Sequence, residues 1–372
     1  MKDLRIEKLA KNLIEYSVKL KKGQTVVIES TAEGRVLVAE LVRQVHKLGA
    51  FPIVRLGDET VSRAVMMGLT EELSKKMLKY TAPIFEDAQA MISICAVRNE
   101  FENADVPQEN KIMHSKFYGK PIHKIIDDKK INWCLLNFPN ESQAQLANQS
   151  LEKFTDFFFD VCTMDYGKMH AAMIPLKSLM EKTDAVHIVA PETDLTFSIK
   201  GQIATICSGS HNIPDGEIMT TPVRNSVNGT IKFNTPLSRN GLIFNDVALT
   251  FKDGKVIKAT CASNETDFNK VLDSDEGARY TGEFAFGVNP FITKPMNDTL
   301  FDEKIGGSIH MALGKAFEEN CANGNPINES QIHWDIVQQG IGTGCEIYFD
   351  GVLIRKNGKF VLKELQALEK LR

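Results

Sequence analysis

Hydrophobic and polar positions in the first half of the chain follow two alternating patterns. In some segments apolar side chains recur three or four residues apart, which predicts amphipathic helices at 3–20, 34–48 and 71–80. Between them lie short, continuous apolar runs that are typical of buried strands, at 25–29, 52–56, 91–97 and 131–138. Strands that alternate with helices predict a mostly parallel sheet with helices on both faces.

The pattern changes near residue 165, where short strand-like segments begin to dominate. A helix predicted at 169–182 is followed by predicted strands at 185–189, 231–234, 247–252, 255–260, 346–349 and 352–355. Asp253-Gly254 and Asp350-Gly351 separate two pairs of these strands and are strong hairpin signals. We therefore predict an α/β protein with two parts: an α/β scaffold domain with a mostly parallel sheet at 1–165, and a β-rich α+β domain at 166–372.

Composition and charge narrow the possible partners. Lys and Arg number 44 against 48 Asp and Glu, so the chain has no basic excess with which to bind the phosphates of a nucleic acid. The longest apolar runs are too short to span a bilayer, and the first residues alternate charged with apolar side chains, unlike a signal peptide. Seven scattered cysteines, never spaced C-x-x-C, are typical of a reducing compartment. We expect a cytoplasmic protein that binds neither nucleic acid nor membrane.

No strand of the first half is followed by a phosphate-binding loop. Neither G-x-G-x-x-G nor G-x-x-x-x-G-K-[ST] occurs at such a place. The glycine-rich run at 340–344 leads into a predicted strand rather than a helix, so it offers no helix N-terminus to a phosphate. We expect no nucleotide cofactor, and the chemistry is expected in the second half.

His333 and Asp335 are the first candidates for that chemistry. They flank Trp334, and in an extended segment residues two apart point to the same side. The two side chains can then converge on one metal ion while Trp334 faces the core. A histidine and an aspartate that form an ordinary surface pair can have the same spacing. This motif alone therefore does not distinguish a metal site from a surface pair.

Three further residues strengthen the metal interpretation. Glu283 is the one carboxylate in an apolar, strand-like run, where an unpaired charge is costly unless a cation neutralises it. His310 follows a Gly-Gly turn at the start of an apolar segment that we predict to be helical, and Glu217 follows the turn Pro-Asp-Gly. His211 lies near Glu217 in the sequence, but its spacing identifies no role.

These candidates form a mixed oxygen and nitrogen ligand set: Glu217, Glu283, His310, His333 and Asp335. Such a set suits Zn²⁺, Co²⁺ or Mn²⁺, and the lack of thiolates argues against a structural zinc site. Five ligands exceed what one catalytic zinc needs. The set therefore predicts two divalent metal ions that share a bridging carboxylate.

Several motifs give the chain a resemblance to a known family. They occur in order along nearly the whole sequence and read KLAKNLIEYSVKLKKGQTVVIES, APETDLTFSI, NIPDGE, ARYTGEFAFGVNP, FDEKIGGSIHMALG and SQIHWDIV. In these motifs the chain resembles the thermophilic-type metallo-aminopeptidases, the family of aminopeptidase T, aminopeptidase S and PepS. The family's metal ligands carry over onto the same five residues.

The resemblance implies a function and an assembly. It implies that the chain removes N-terminal residues from peptides with a free N-terminus, through a water activated by two metals in the C-terminal domain. It also implies a homodimer.

Phe317 departs from the family's pattern. The family has a catalytic tyrosine seven residues after its first metal histidine, and that position here is Phe317. A phenyl ring has no hydroxyl to donate to a developing oxyanion, and the loss of one such donor typically costs about 10²–10³ in rate. Either another group substitutes for the hydroxyl or the chain is a slow peptidase.

Two other functions stay open at this point. His310, His333 and Asp335 form a 2-His-1-carboxylate set that can bind Fe²⁺, and ring-cleaving dihydroxypyridine dioxygenases resemble this family. Alternatively, Phe317 would suit a metal-stabilised protein that binds peptides with little turnover. Metal stoichiometry separates the dioxygenase from the two-metal enzyme, and turnover of aminoacyl-arylamides separates the binding protein.

Overall fold

The chain forms two compact units. The computed structural model describes residues 3–239, 242–322 and 324–371. The first unit contains Met1–Met164 and the short segment Gly209–Ile213, and the second contains Asp165–Ser208 and Pro214–Arg372. The chain thus leaves the first unit and later returns to it for a single short strand.

The first unit alternates helices with strands, as its sequence pattern predicts. Its strands before residue 164 are β1 (Thr25–Thr31), β2 (Phe51–Gly57), β3 (Ala90–Cys95) and β4 (Asn132–Asn137). Its helices are α1 (Leu4–Asn12), α2 (Arg35–Leu48), α3 (Glu59–Met67), α4 (Glu71–Glu86), α5 (Gln108–His114), α6 (Lys120–Asp128), α7 (Glu141–Leu146) and α8 (Leu151–Cys162). Helix α2 shows how the pattern acts, because Leu37, Leu41 and Val45 are buried on one face and Gly49 ends the helix in the left-handed region.

The second unit is rich in strands and has few helices. Its helices are α9 (Tyr166–Met180), α10 (Glu265–Leu272) and α11 (Thr299–Asp302). The strands continue in chain order as β5 (Ala185–Ala190), β6 (Thr193–Ser198), β7 (Thr205–Cys207), β8 (Asn212–Ile213, in the first unit), β9 (Glu217–Thr220), β10 (Asn228–Lys232), β11 (Leu237–Arg239), β12 (Leu242–Phe244), β13 (Ala248–Lys252), β14 (Lys255–Thr260), β15 (Thr281–Gly287), β16 (Ser308–Gly314), β17 (His333–Gln339), β18 (Glu346–Phe349), β19 (Val352–Lys356) and β20 (Lys359–Phe360).

The sheets confirm the predicted α/β fold class. The first unit has a five-stranded parallel sheet in the order β2-β1-β3-β4-β8. The second unit has an eight-stranded sheet, β14-β13-β10-β6-β5-β18-β19-β20, whose pairings are antiparallel. Both predicted hairpins form, and Asp253, Gly254, Asp350 and Gly351 all have the positive φ that a tight primed turn requires.

A smaller antiparallel sheet of the second unit, in the order β17-β16-β15-β9-β7, has buried central strands. Every residue of β15 and β16 is buried. The predicted helix that begins near His310 is wrong, because Ser308–Gly314 is the strand β16. A short apolar run does not distinguish a buried helix from a strand by periodicity, and here β15 and β17 pair with it on both sides.

The lengths of the described helices can be compared with the length that a membrane-spanning helix needs. The longest, α4, has 16 residues, whereas a membrane-spanning helix needs about 20 apolar ones. None of the helices in the described ranges is both long and apolar enough to cross a bilayer.

Candidate metal centre

Four neighbouring strands of the smaller sheet carry the five predicted ligands. Glu217 is the first residue of β9, Glu283 lies in β15, His310 in β16, and His333 and Asp335 in β17. Side chains directly opposite each other in an antiparallel pair share a face, and so do side chains two residues apart. By these two rules the registers place all five side chains on one face of the sheet.

Small residues stand opposite the five side chains on that face. Gly287 of β15 pairs with Glu217, Ala285 of β15 with His310, and Gly314 of β16 with His333. Ala312 of β16 lies between Glu283 and Asp335 and pairs with both of them. Val337 opposite His310 and Cys207 opposite Glu217 are larger. Because the other paired neighbours are glycine or alanine, the polar side chains have room to converge over the centre of the sheet.

Glu283 lies between the two imidazoles. Its Oε1 is 3.0 Å from Nε2 of His310, and its Oε2 is 3.4 Å from Nε2 of His333. Each of these Nε2 atoms also lies near a second carboxylate: Oε2 of Glu217 is 3.2 Å from Nε2 of His310, and Oδ1 of Asp335 is 3.3 Å from Nε2 of His333. Two three-residue groups with metal-ligand spacing result, Glu217/Glu283/His310 and Glu283/His333/Asp335, and they share Glu283.

The backbone fixes the orientation of both imidazoles. Nδ1 of His310 lies 3.1 Å from the carbonyl oxygen of Glu303, and Nδ1 of His333 lies 2.8 Å from the carbonyl oxygen of Lys315. A carbonyl oxygen accepts only, so each Nδ1 carries the proton and donates it. Each Nε2 then faces the carboxylates, and such outer hydrogen bonds are the usual companions of metal-binding histidines.

Burial and charge shift the pKa values of this cluster strongly. Burial raises the pKa of Glu217 to about 8, against the opposing effect of the Lys304 ammonium. Burial lowers the pKa of His310, but the hydrogen bond to Glu283 and the charges of the nearby carboxylates reverse this and raise it to about 9. In the metal-free site both shifts favour the protonated form, which reduces the buried negative charge.

The pKa values of Glu283, His333 and Asp335 are also set by charges and hydrogen bonds that outweigh the effect of burial. Burial raises the pKa of Glu283, but hydrogen bonds from His310 and His333 outweigh it, and the pKa is lowered. Burial also raises the pKa of Asp335, and the charge of His333 more than offsets this and lowers it. The pKa of His333 is well above its usual value because Asp335 and Glu283 outweigh its burial. Protons thus balance buried negative charge at the place where cations would sit.

One carboxylate oxygen has no donor. Oε2 of Glu217 is buried and accepts no hydrogen bond from any described residue, although Nε2 of His310 is 3.2 Å away. The single proton of that Nε2 is directed at Glu283 instead. A buried, unsatisfied carboxylate oxygen within a set of oxygen and nitrogen donors fits a divalent cation.

Lys304 supports Glu217 from the other side and was not predicted from the sequence. The side chain is completely buried, and its ammonium donates to Oε1 of Glu217 at 2.7 Å and to the carboxylate of Glu303. Asp215 lies 3.9 Å away. Burial lowers the pKa of Lys304, but these three carboxylates raise it well above its ordinary value, so the residue is a fixed positive charge.

Two more residues at the cluster were missed by sequence reasoning. Glu303 forms a third group with metal-ligand spacing together with His310 and Asp335. The guanidinium of Arg239, at the end of β11, lies 3.9 Å from Oδ2 of Asp335. Glu303 is close to His310 in the sequence and could have been inspected for that reason. Arg239 is about a hundred residues from Asp335, and no local spacing reveals their proximity.

Phe317 lies next to a candidate ligand, His333. Its ring centroid is 5.0 Å from that of His333, and the two rings are tilted by 57°. His211 does not join the cluster. It belongs to the first unit, where its ring packs edge-on against Trp133 at 4.7 Å.

Comparisons with known proteins match nearly the whole chain to one family. Residues 2–360 match the family described as thermophilic metalloprotease (M29). Similar sequences include aminopeptidase 2 of Geobacillus stearothermophilus, which is 25% identical over 95% of this chain and 95% of its own length. Aminopeptidase PepS of Streptococcus thermophilus is 25% identical over 96% of this chain and 98% of its own length.

A solved structure shows the same fold. Wild-type AmpT from Thermus thermophilus superimposes with a TM-score of 0.84 at 22% identity, covering 96% of this chain and 99% of that one. The resemblance seen in the sequence motifs is therefore confirmed. Because the family match spans nearly the whole sequence, the chain belongs to the thermophilic metalloproteases (M29), which are hydrolases of peptide bonds.

Proposed function

We propose that this chain is a metal-dependent aminopeptidase that uses two divalent ions to release N-terminal residues from peptides. The ligands in this proposal are the five predicted residues: Glu217, Glu283, His310, His333 and Asp335. One observation carries it, which is that the two oxygens of Glu283 face different imidazoles and so join two ligand groups. A carboxylate in that position is the kind of bridge that two-metal hydrolases use.

The residues of the chain prepare the site for this chemistry. When bound, a pair of divalent ions lowers the pKa of a water molecule and polarises the substrate carbonyl. The carbonyl oxygens of Glu303 and Lys315 hold the two imidazoles with Nε2 toward the centre. Lys304 holds Glu217 by one oxygen and leaves the other without a donor. The donor set contains no thiol and suits Zn²⁺, Co²⁺ or Mn²⁺.

The substrate in this proposal is a peptide with a free α-amine, because the similar proteins are named aminopeptidases. Free cysteines at all seven positions suit work in the cytoplasm. The homodimer that the family resemblance implies is part of the proposal too. Sedimentation at micromolar concentration tests it, and a single monomeric species would contradict it.

The dioxygenase is the weaker alternative. It would need His310, His333 and Asp335 as the complete ligand set for one Fe²⁺. Glu283 lies between the two imidazoles at 3.0 and 3.4 Å, which favours its use as a ligand as well. The similar proteins named above are all aminopeptidases.

Activity on matched substrates tests the proposal. The metal-replete enzyme should release arylamine from a leucyl-arylamide and should leave the N-acetylated compound intact. Chelation should abolish the reaction, and Zn²⁺, Co²⁺ or Mn²⁺ should restore it. His333→Ala should be inactive, whereas His187→Ala, a control in which the histidine pairs with Asp194 on the larger sheet, should remain active. Equal cleavage of free and acetylated substrates would contradict an aminopeptidase.

A further inference from the structure

Arg239 has hydrogen-bonding capacity that the described protein does not use. Its guanidinium makes no hydrogen bond to any described residue, and its nearest charged partner is Oδ2 of Asp335 at 3.9 Å. Its Nε is buried and has no acceptor among the described residues. The side chain as a whole is 35% exposed, so it lies at the edge of the site rather than in the core.

The contact with Asp335 does not account for this side chain. A guanidinium has five N–H donors in a planar fork and remains charged at every physiological pH. The 3.9 Å separation is too long for a hydrogen bond, so Arg239 does not orient Asp335 in the way that the backbone carbonyls orient the histidines. A buried donor with no partner among the described residues, beside candidate metal ligands, is available to an acceptor on a bound substrate.

The same corner of the site lacks the donor that the family pattern leads one to expect. Phe317 packs on His333, and His333 lies 3.3 Å from Asp335, which is the residue that Arg239 approaches. Phe317 and Arg239 thus contact the two ends of one imidazole–carboxylate pair. The side chain of Phe317 has no polar atom, whereas the guanidinium of Arg239 has N–H donors that no described residue accepts.

We propose that Arg239 is a catalytic residue that donates hydrogen bonds to the carbonyl oxygen of the scissile peptide bond. The inference rests on the proposed peptidase function and supplies the group that replaces the missing hydroxyl at position 317. A charged donor is stronger than a neutral hydroxyl, and it is most effective where negative charge develops during the reaction.

The reaction places that charge on one oxygen. A water oxygen bonds to the carbonyl carbon, and the electron pair of the C=O double bond moves to the carbonyl oxygen, which Arg239 stabilises. The double bond then re-forms and the C–N bond breaks. The leaving nitrogen takes one proton of the attacking water, and the products are the free amino acid and the shortened peptide.

Three variants separate this role from a structural one. Arg239→Gln removes the charge and the fork, and Arg239→Lys keeps the charge without the fork. Arg279→Gln is the matched control, because Arg279 is a partly buried arginine of the same unit that pairs with Asp273 at 2.7 Å, away from the cluster. Metal content is measured in every variant, so that a loss of ligands is distinguished from a loss of a donor.

Kinetics on a leucyl-arylamide give the first readout. Arg239→Gln should lower kcat about 10²-fold with little change in KM, Arg239→Lys should fall between it and the wild type, and Arg279→Gln should match the wild type. Metal content should be unchanged in all three variants. An Arg239→Gln enzyme with wild-type kcat, or one that has lost its metal, would overturn the proposal.

Phe317→Tyr gives a second readout through non-additivity. If Arg239 already supplies the donor, the added hydroxyl should change the wild-type rate by less than about fivefold but should raise kcat of Arg239→Gln by about 10-fold or more. Equal gains in both backgrounds would mean that the two positions act independently, and the proposal would fail.

Binding of an α-aminoalkyl phosphonate needs no turnover and separates this inference from the proposed function. The phosphonate is a tetrahedral anion, so Arg239→Gln should bind it at least 10-fold more weakly than the wild type by calorimetry, while the affinity for an amino-acid amide stays the same. If the wild type cleaves no free-amine peptide, the proposed function fails and the catalytic role of Arg239 at a peptide bond fails with it; this difference would then show only that Arg239 binds a tetrahedral anion. If peptides are cleaved but the phosphonate affinities are equal, the role of Arg239 fails and the proposed function stands.

Discussion

Glu283 is the residue on which the proposed geometry depends most. Its position in the buried strand β15 puts a carboxylate between His310 and His333, with one oxygen toward each. The sequence indicated a neutralising cation because a lone carboxylate stands in an apolar run, and the structure brings two imidazoles to it. The sequence did not reveal Lys304, since that lysine is buried against Glu217 by the tertiary fold rather than by any local spacing.

Glu283→Gln should uncouple the two ligand groups. A neutral amide cannot balance two cations in a buried site, so metal content should fall by at least one ion per chain and activity should be lost. Elemental analysis of the purified variant checks this. Glu346→Gln, a carboxylate on the larger sheet that pairs with Lys356, is the control and should retain full metal content. A Glu283→Gln protein with full occupancy and rate would contradict the assignment.

Lys304→Met should reduce stability more than an ordinary surface substitution does. It leaves the carboxylates of Glu217 and Glu303 without their shared donor, and breaking a buried ion pair in this way typically costs about 3–5 kcal/mol in the free energy of unfolding. Lys270→Met is the control, because Lys270 is exposed and should change the free energy of unfolding by less than about 0.5 kcal/mol. Urea denaturation of both variants checks the prediction, and equal losses would contradict it.

At the scale of secondary structure, the strands place the ligands more exactly than their sequence spacing does. The spacing of two residues predicted that His333 and Asp335 share one face, and both lie in the strand β17. This prediction needs only local information, because side chains alternate along any strand. The segment of His310 was predicted to be helical and is a strand, because strand pairing with β15 and β17 decided an ambiguous apolar run. Register between strands is not local, so the sequence could indicate five candidate ligands but could not show which of their side chains lie close together.

Gly314→Ala should disturb the site without removing a ligand. Gly314 has φ near +101°, and an added Cβ would lie 2.2 Å from the carbonyl oxygen of Ile332, which precedes His333. The resulting shift of β17 should cost about 2–4 kcal/mol in the free energy of unfolding and weaken metal binding. Gly351→Ala is the control, because Gly351 also has a positive φ, near +80°, but has no atom within 4 Å of the added Cβ.

The control isolates the backbone cost. Gly351→Ala should lose about 1–2 kcal/mol in the free energy of unfolding and no metal affinity. Thermal denaturation and metal titration of both variants provide the comparison. The same metal affinity in Gly314→Ala as in the wild type would show that the pairing of β16 with β17 does not position His333.

At the scale of the whole molecule, all five candidate ligands and Arg239 belong to the second compact unit. The alternating pattern of the first half predicted the parallel sheet of the first unit, but the return of the chain to that sheet as β8 was not visible in the sequence. The strand has two residues, which is too short for a periodic signal. The fold is shared with AmpT at 22% identity, so it tolerates extensive change in sequence.

The metal content of the intact, replete wild-type chain tests the central claim most directly. Elemental analysis after equilibration with Zn²⁺, Co²⁺ or Mn²⁺ and removal of free ions gives the number of ions per chain. The two ligand groups that share Glu283 predict close to two divalent ions. A single tightly held iron per chain, or no retained metal, would contradict the account.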